Sequence, residues 1–183
     1  GGDLNLLGGG RLAVYAGPSA GTTPTALLQS ATPVTVAGTL HVSSGATIFP
    51  YNELMTGAFV SFNVDKLILD EGGAINATAR GYWWKKYPLG DPPAGAYNEG
   101  SWYTFAPGRG YSFQRGGGHG GRGGNFDATY GLSYGYPYAP FMAGSPNGCY
   151  STPSRGGGTV RIAAAGKVTL DGTISADGAA NTQ

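Results

Sequence analysis

The chain has 183 residues, of which 35 are glycine and 12 proline, with 11% charged residues and a formal net charge of +1. Ordinary proteins carry ~7% glycine and ~25% charged residues, so a typical enzyme with a charged shell is excluded. The 40% hydrophobic and 12% aromatic content equally excludes a self-repelling, disordered chain. The basic residues stand singly apart from Lys85 and Lys86, which gives nucleic acid no footprint, and no apolar run reaches the ~18 residues that a membrane span needs. An ordered, all-β, backbone-dominated fold is what these quantities leave.

In chain order, short β-type runs come first: Arg11 to Tyr15, Pro33 to Val36, Thr39 to Val42, Ala58 to Phe62 and Leu67 to Leu69, broken by Gly, Ser and Pro. One turn of helix is expected at Thr25 to Gln29. From Gly81 to Gly158 the composition changes, and this stretch holds 20 of the 35 glycines and 17 of the 22 aromatics. It reads as a glycine- and aromatic-rich excursion, residues 81–158, from a single domain spanning 1–183. After Thr159 the β-runs return.

Self-comparison supplies the architecture. Val34-Thr35-Val36-Ala37-Gly38-Thr39-Leu40-His41-Val42 aligns without a gap on Val168-Thr169-Leu170-Asp171-Gly172-Thr173-Ile174-Ser175-Ala176, and Leu67 to Ala77 fits with two inserted residues. Each copy is strand, glycine corner, strand. Alternation puts Val34 and Val36, Leu67 and Leu69, and Val168 and Leu170 on one face, with Leu40, Ile75 and Ile174 inward after the corner. So short a strand cannot bury its face alone, so such units stack rung upon rung, and the expected fold is a parallel β-helix, or solenoid. The competing arrangement is an antiparallel sandwich, against which stands the scarcity of two-residue hairpin signals.

A wider series of motifs runs from Gly73-Ala74-Ile75-Asn76-Ala77 and Gly81-Tyr82 through Gly116-Gly117-Gly118-His119-Gly120-Gly121-Arg122-Gly123-Gly124. It continues with Tyr134-Gly135, Pro137 and Gly144-Ser145, and ends on Gly156-Gly157-Gly158-Thr159-Val160-Arg161-Ile162 and Leu170 to Gly178. It resembles the glycine-rich parallel β-helix repeat of large secreted and cell-surface proteins, including protist surface filament proteins of the mastigoneme kind. Where such repeats continue Gly144-Ser145 into further glycines, this chain has Pro146-Asn147-Gly148-Cys149-Tyr150. The resemblance implies an extracellular or cell-surface location and a structural or adhesive role.

Catalytic chemistry finds little support. Gly118-His119-Gly120 matches one mark of pectin-degrading β-helix enzymes, but Asp-Asp and Arg-x-Lys companions are missing, and glycosidic hydrolysis needs two carboxylates about 5 to 10 Å apart. No catalytic residues, cofactor or metal are expected, and His119 is read as a donor tying glycine strands together. A carbohydrate-binding or carbohydrate-active module remains the alternative to a structural subunit. The glycine segment itself suits backbone strands that approach closely, as polyproline II strands do, under a cover of Tyr130, Tyr134, Tyr136, Tyr138 and Phe141.

Asn76-Ala77-Thr78 is an N-glycosylation sequon. Trp83, Trp84, Trp102, Tyr134 and Tyr136 are candidates for subunit packing or sugar stacking. Cys149, the only cysteine, is either a tolerated thiol or the anchor of a bond to another chain. The chain reads as a piece of something longer, with no convincing cap at either end of the expected solenoid. Open ends favour head-to-tail association, and a contact that does not close into a ring makes a filament. The partners expected are therefore further copies of the chain or the rest of a longer one, with an attached or bound glycan.

Overall fold

Apolar side chains alternate with polar ones over short β-branched runs, and those runs form the strands. In a computed structural model the described residues are 2–19, 29–54, 56–83, 85–86, 97–99, 102–104, 106–107, 118–119, 133–135, 140–147 and 154–179. The strands are β1 (Leu4–Leu6), β2 (Arg11–Tyr15), β3 (Thr32–Val42), β4 (Thr47–Tyr51), β5 (Val60–Leu69), β6 (Ala74–Asn76), β7 (Lys85–Lys86), β8 (Tyr97–Glu99), β9 (Trp102–Thr104), β10 (Arg161–Ala164), β11 (Val168–Leu170) and β12 (Thr173–Ser175). Of the expected helical turn only Gln29 is described, and it is helical.

Two parallel sheets carry the structure. One has the order β1-β3-β5-β10, with β11 also on β5; the other has the order β2-β4-β6-β12. The chain visits them alternately, one strand pair per pass, so that each pass lies in register on the one before. The column Leu6, Val42, Leu69, Leu170 runs through the first sheet, and Leu12, Ile48, Ile75, Ile174 through the second. Both sheets are parallel throughout, which excludes the antiparallel sandwich; among the described residues antiparallel pairing is confined to the small β7-β9-β8 sheet within the excursion.

The inward side chains form one core of Val36, Leu40, Val42, Ala46, Ile48, Val60, Phe62, Val64, Leu67, Leu69 and Ile75, with Leu4, Leu6, Leu12, Val14 and Ile162 packed on it from the outer passes. Between the sheets the chain turns through corners whose glycines Gly9, Gly45 and Gly72 share φ of 75, 75 and 78°, a left-handed conformation that a side chain resists. β4 contains Pro50 at no cost to its ladder. Thr47 and Tyr51 bond toward β2, so alternation aims Pro50 the other way, beyond Ile48, where pairing with β6 has ended.

One expected alignment is corrected. Val34 does not occupy the level of Val168. It lies on Phe62, which lies on Ile162, while Leu40, Leu67 and Val168 share a level. Gly38 is thus the counterpart of Gly166 and sits at an irregularity between Val36 and Thr39, where β3 has one residue more than β5. The pairing of Leu67 with Val168 and of Ile75 with Ile174 follows the expected register.

The excursion is fastened to the core by glycine backbone. Gly81 N–H donates to Gly156 O (2.9 Å), Gly144 N–H to Gly157 O (2.8 Å), Gly156 N–H to Tyr82 O (3.1 Å) and Gly158 N–H to Ala77 O (2.8 Å). A methyl group at Gly81 or Gly156 would land on a carbonyl oxygen of Gly157 or Gly144, so this approach requires glycine. The polyproline-like packing expected of residues 116–124 lies almost entirely outside the described residues. Buried Asn52 closes the seam, its Oδ1 accepting Thr159 N–H at 2.8 Å and its Nδ2 donating to Gly57 O at 3.0 Å.

Candidate functional site

Two features stand out beyond the core: the end of the stack and the aromatic flank. At the end formed by β11 and β12, Val168, Leu170 and Ile174 are 46, 52 and 40% exposed. Their register partners Leu67, Leu69 and Ile75 are buried at 1, 0 and 0%. The same inward-facing column therefore stops short of a covering layer. At the opposite end Leu7 is 67% exposed, and β1 and β2 are outermost in their sheets. Among the described residues, each end strand leaves one row of backbone groups without a ladder partner.

On the flank, Tyr82 is fully buried and its hydroxyl donates to Thr56 O (2.9 Å). Tyr134 donates to Ala143 O (2.5 Å), and its ring stacks on His119 with centroids 4.8 Å apart. His119 thus meets an aromatic ring face to face, where the sequence suggested a donor to glycine backbone. Burial lowers the pKa of His119 and favours neutral imidazole. Trp83 lies under the Arg155 guanidinium, 4.0 Å from its ring centre, a stacked cation–π contact. A cavity of about 580 Å³ opens beside these groups, lined by His119, Ser145, Asn147, Arg155 and the backbone of Gly156 and Gly157.

Burial also sets the alkaline behaviour. The Tyr134 hydroxyl is pushed up to about 12 from 10.0, burial outweighing hydrogen bonding at Ser145, and Tyr82 is raised further by burial with added repulsion from Tyr134 and Glu53. A raised folded-state pKa means that the neutral phenol is favoured in the fold. The resulting stabilisation is complete below pH 10, where unfolded tyrosine is still neutral, and drains away as pH climbs from about 10 to 12. Denaturation midpoints measured across that window should fall, with tyrosinate absorbance rising as the chain unfolds. Tyr134→Phe should make the fall shallower.

Asn76 is half-buried at the end of β6, its Oδ1 accepting Thr78 N–H at 2.9 Å, while the Thr78 hydroxyl donates to Ser175 Oγ at 3.3 Å. Trp102 is on β9, with its backbone alone described. Trp84, Tyr136 and Cys149 lie outside the described residues. Trp83 and Tyr134 are both on the flank, in separate contacts. Among the described residues no three His, Cys, Asp or Glu side chains converge as metal ligands, and no helix is long and apolar enough to cross a membrane. Sequence reading passed over Arg11, Phe49, Tyr51 and Arg80, which meet only because β4 is paired with β2 on one side and with β6 on the other. Comparison of the chain with known families, with curated proteins and with solved structures returns no match.

Proposed function

We propose that the chain is a structural segment of an extracellular filament or cell-surface fibre, built as a parallel β-helix whose ends accept further rungs. The observation that carries this reading is the exposure of Val168, Leu170 and Ile174 above a buried column of the same register. Inward-facing apolar side chains left uncovered at the end of a stack, beside an outermost strand edge, match the β1 and β2 end of a second copy or a further stretch of the same polypeptide. Covering them removes apolar area from water at about 25 cal/mol per Å², and a net charge of +1 adds little repulsion between copies. The alternating visits to two parallel sheets and the resemblance to glycine-rich surface repeats support the solenoid and its extracellular setting. Asn76 serves in this reading as the glycan attachment point, and Cys149 as the thiol available to a neighbouring chain.

Electron microscopy and light scattering of the purified chain should show elongated polymers whose length grows with concentration. The double variant Leu170→Glu, Ile174→Lys should remain folded and stay monomeric. A wild-type chain that is monodisperse at millimolar concentration overturns the reading.

A further inference from the structure

The outward face of the second sheet carries a column of stacked rings and guanidinium groups. Tyr15 and Tyr51 are register partners on β2 and β4, and their rings stack at 4.6 Å with 17° between planes. Arg80, which follows β6, lies over both Tyr51 (4.7 Å) and Phe49 (4.5 Å), and Arg11 lies over Phe49 at 5.1 Å. Ala13, the register partner of Phe49, is small enough to leave that ring open to Arg11. The result is a continuous strip of three rings and two cations running across the strands.

Among the described residues no carboxylate neutralises the two cations. The carboxylate contacts of basic side chains among the described residues are His41 with Asp70 and Lys66 with Asp65, and neither involves Arg11 or Arg80. Arg80 donates from Nη1 to Thr78 O, while its buried Nε has no hydrogen-bond partner among the described residues. A buried donor of that kind is costly to leave unmade. Arg11 and Tyr15 stand at the exposed end of the strip, Tyr15 at 66%.

We propose that this strip binds an acidic polysaccharide. Pyranose rings present flat apolar faces of C–H groups that cover tyrosine rings, and their carboxylate or sulfate groups fit the planar fork of arginine. The spacing of neighbouring strands, about 4.8 Å, is close to the length of one sugar unit, so a linear polymer crossing the strands can meet ring and cation in succession. Asn76 lies on β6, with β4 between it and Arg11 and Tyr15, which leaves these two open when Asn76 carries a glycan. The inference does not depend on polymerisation.

The test is retention of the full chain on immobilised polygalacturonate, dextran sulfate and neutral dextran, with every variant compared in the same assembly state by light scattering. Retention on polygalacturonate or dextran sulfate, and not on dextran, is expected; the two acidic polymers distinguish carboxylate from sulfate as the preferred group. Arg11→Gln and Tyr15→Ala, both at exposed positions, should each weaken binding about tenfold with an unchanged thermal midpoint. Arg11→Lys should fall between Arg11→Gln and wild type, because an ammonium lacks the fork. Lys66→Gln, which removes an equal charge on the first sheet, should bind as wild type does. Failure of both acidic polymers to retain the chain, equal retention on dextran, or a loss with Lys66→Gln as large as with Arg11→Gln overturns the proposal.

Discussion

Leu69→Ala is expected to destabilise the chain by about 2–5 kcal/mol, whereas Leu170→Ala should change monomer stability by about 0.5 kcal/mol or less. The two leucines are direct register partners on β5 and β11, so substitution, strand type and level along the strand are the same. Only the covering layer differs. Leu69 is fully buried and Leu170 is 52% exposed, so truncation leaves a cavity at the first and merely trims a wet surface at the second. Urea denaturation at a concentration too low for assembly measures the monomer difference. Equal losses at both positions would mean that Leu170 is already covered in the monomer.

Gly81→Ala should be more damaging than an exposed glycine substitution, at about 3 kcal/mol or more. A β-carbon there would overlap the Gly157 carbonyl and lie 2.9 Å from the Gly144 carbonyl oxygen. Both oxygens belong to backbone, which cannot swing aside as a flexible side chain would, so relief requires separating backbone segments that are joined by hydrogen bonds. Gly2→Ala, where nothing lies within 4 Å, is the control and should leave the denaturation midpoint where it was. The expected signature of Gly81→Ala is loss of the Tyr82 environment, read by tyrosine fluorescence, before loss of β-sheet circular dichroism. Simultaneous loss of both signals would place Gly81 in the central folding unit.

Part of this organisation was legible in the residues. Leu67-Ile68-Leu69 and Val168-Thr169-Leu170 announce the same level because alternation and a following glycine corner agree, and they do share it. Val34-Thr35-Val36 looks equally similar to Val168-Thr169-Leu170, yet pairs elsewhere. Its glycine, Gly38, marks an irregularity inside β3, and the corner of that pass lies later, at Gly45. Sequence gives no direct sign of which glycine turns the chain and which accommodates an extra residue, since both are small. Thr47–Tyr51 was missed as a strand because Pro50 interrupts the usual β signal. The arginine and aromatic strip was invisible for a different reason: Tyr15 and Tyr51, or Arg80 and Phe49, become neighbours only through the register between passes, and passes differ in length. The flank aromatics were legible as a cluster, but the partners of Trp83 and Tyr134 were not, because nothing in composition says that Arg155 and His119 return to them.

The hydrogen bond between Gly158 N–H and Ala77 O (2.8 Å) holds the two ends of the excursion together, and this bears on the order in which the molecule can fold. The first three passes follow one another through connections no longer than residues 16–31, far shorter than residues 77–160 between β6 and β10, so their closure is entropically cheaper. The fourth must wait for the whole segment between β6 and β10 to return. Loop closure grows only as the logarithm of length, about 0.6 kcal/mol per doubling, so the segment costs little in final stability, but contacts so distant along the chain slow the search. During that interval β5 and β6 present their unpaired edges, with Leu67, Leu69 and Ile75 uncovered. Nascent chains are thus most prone to mispair at the level that β11 and β12 later occupy, and the returning segment acts as a timer on that vulnerability.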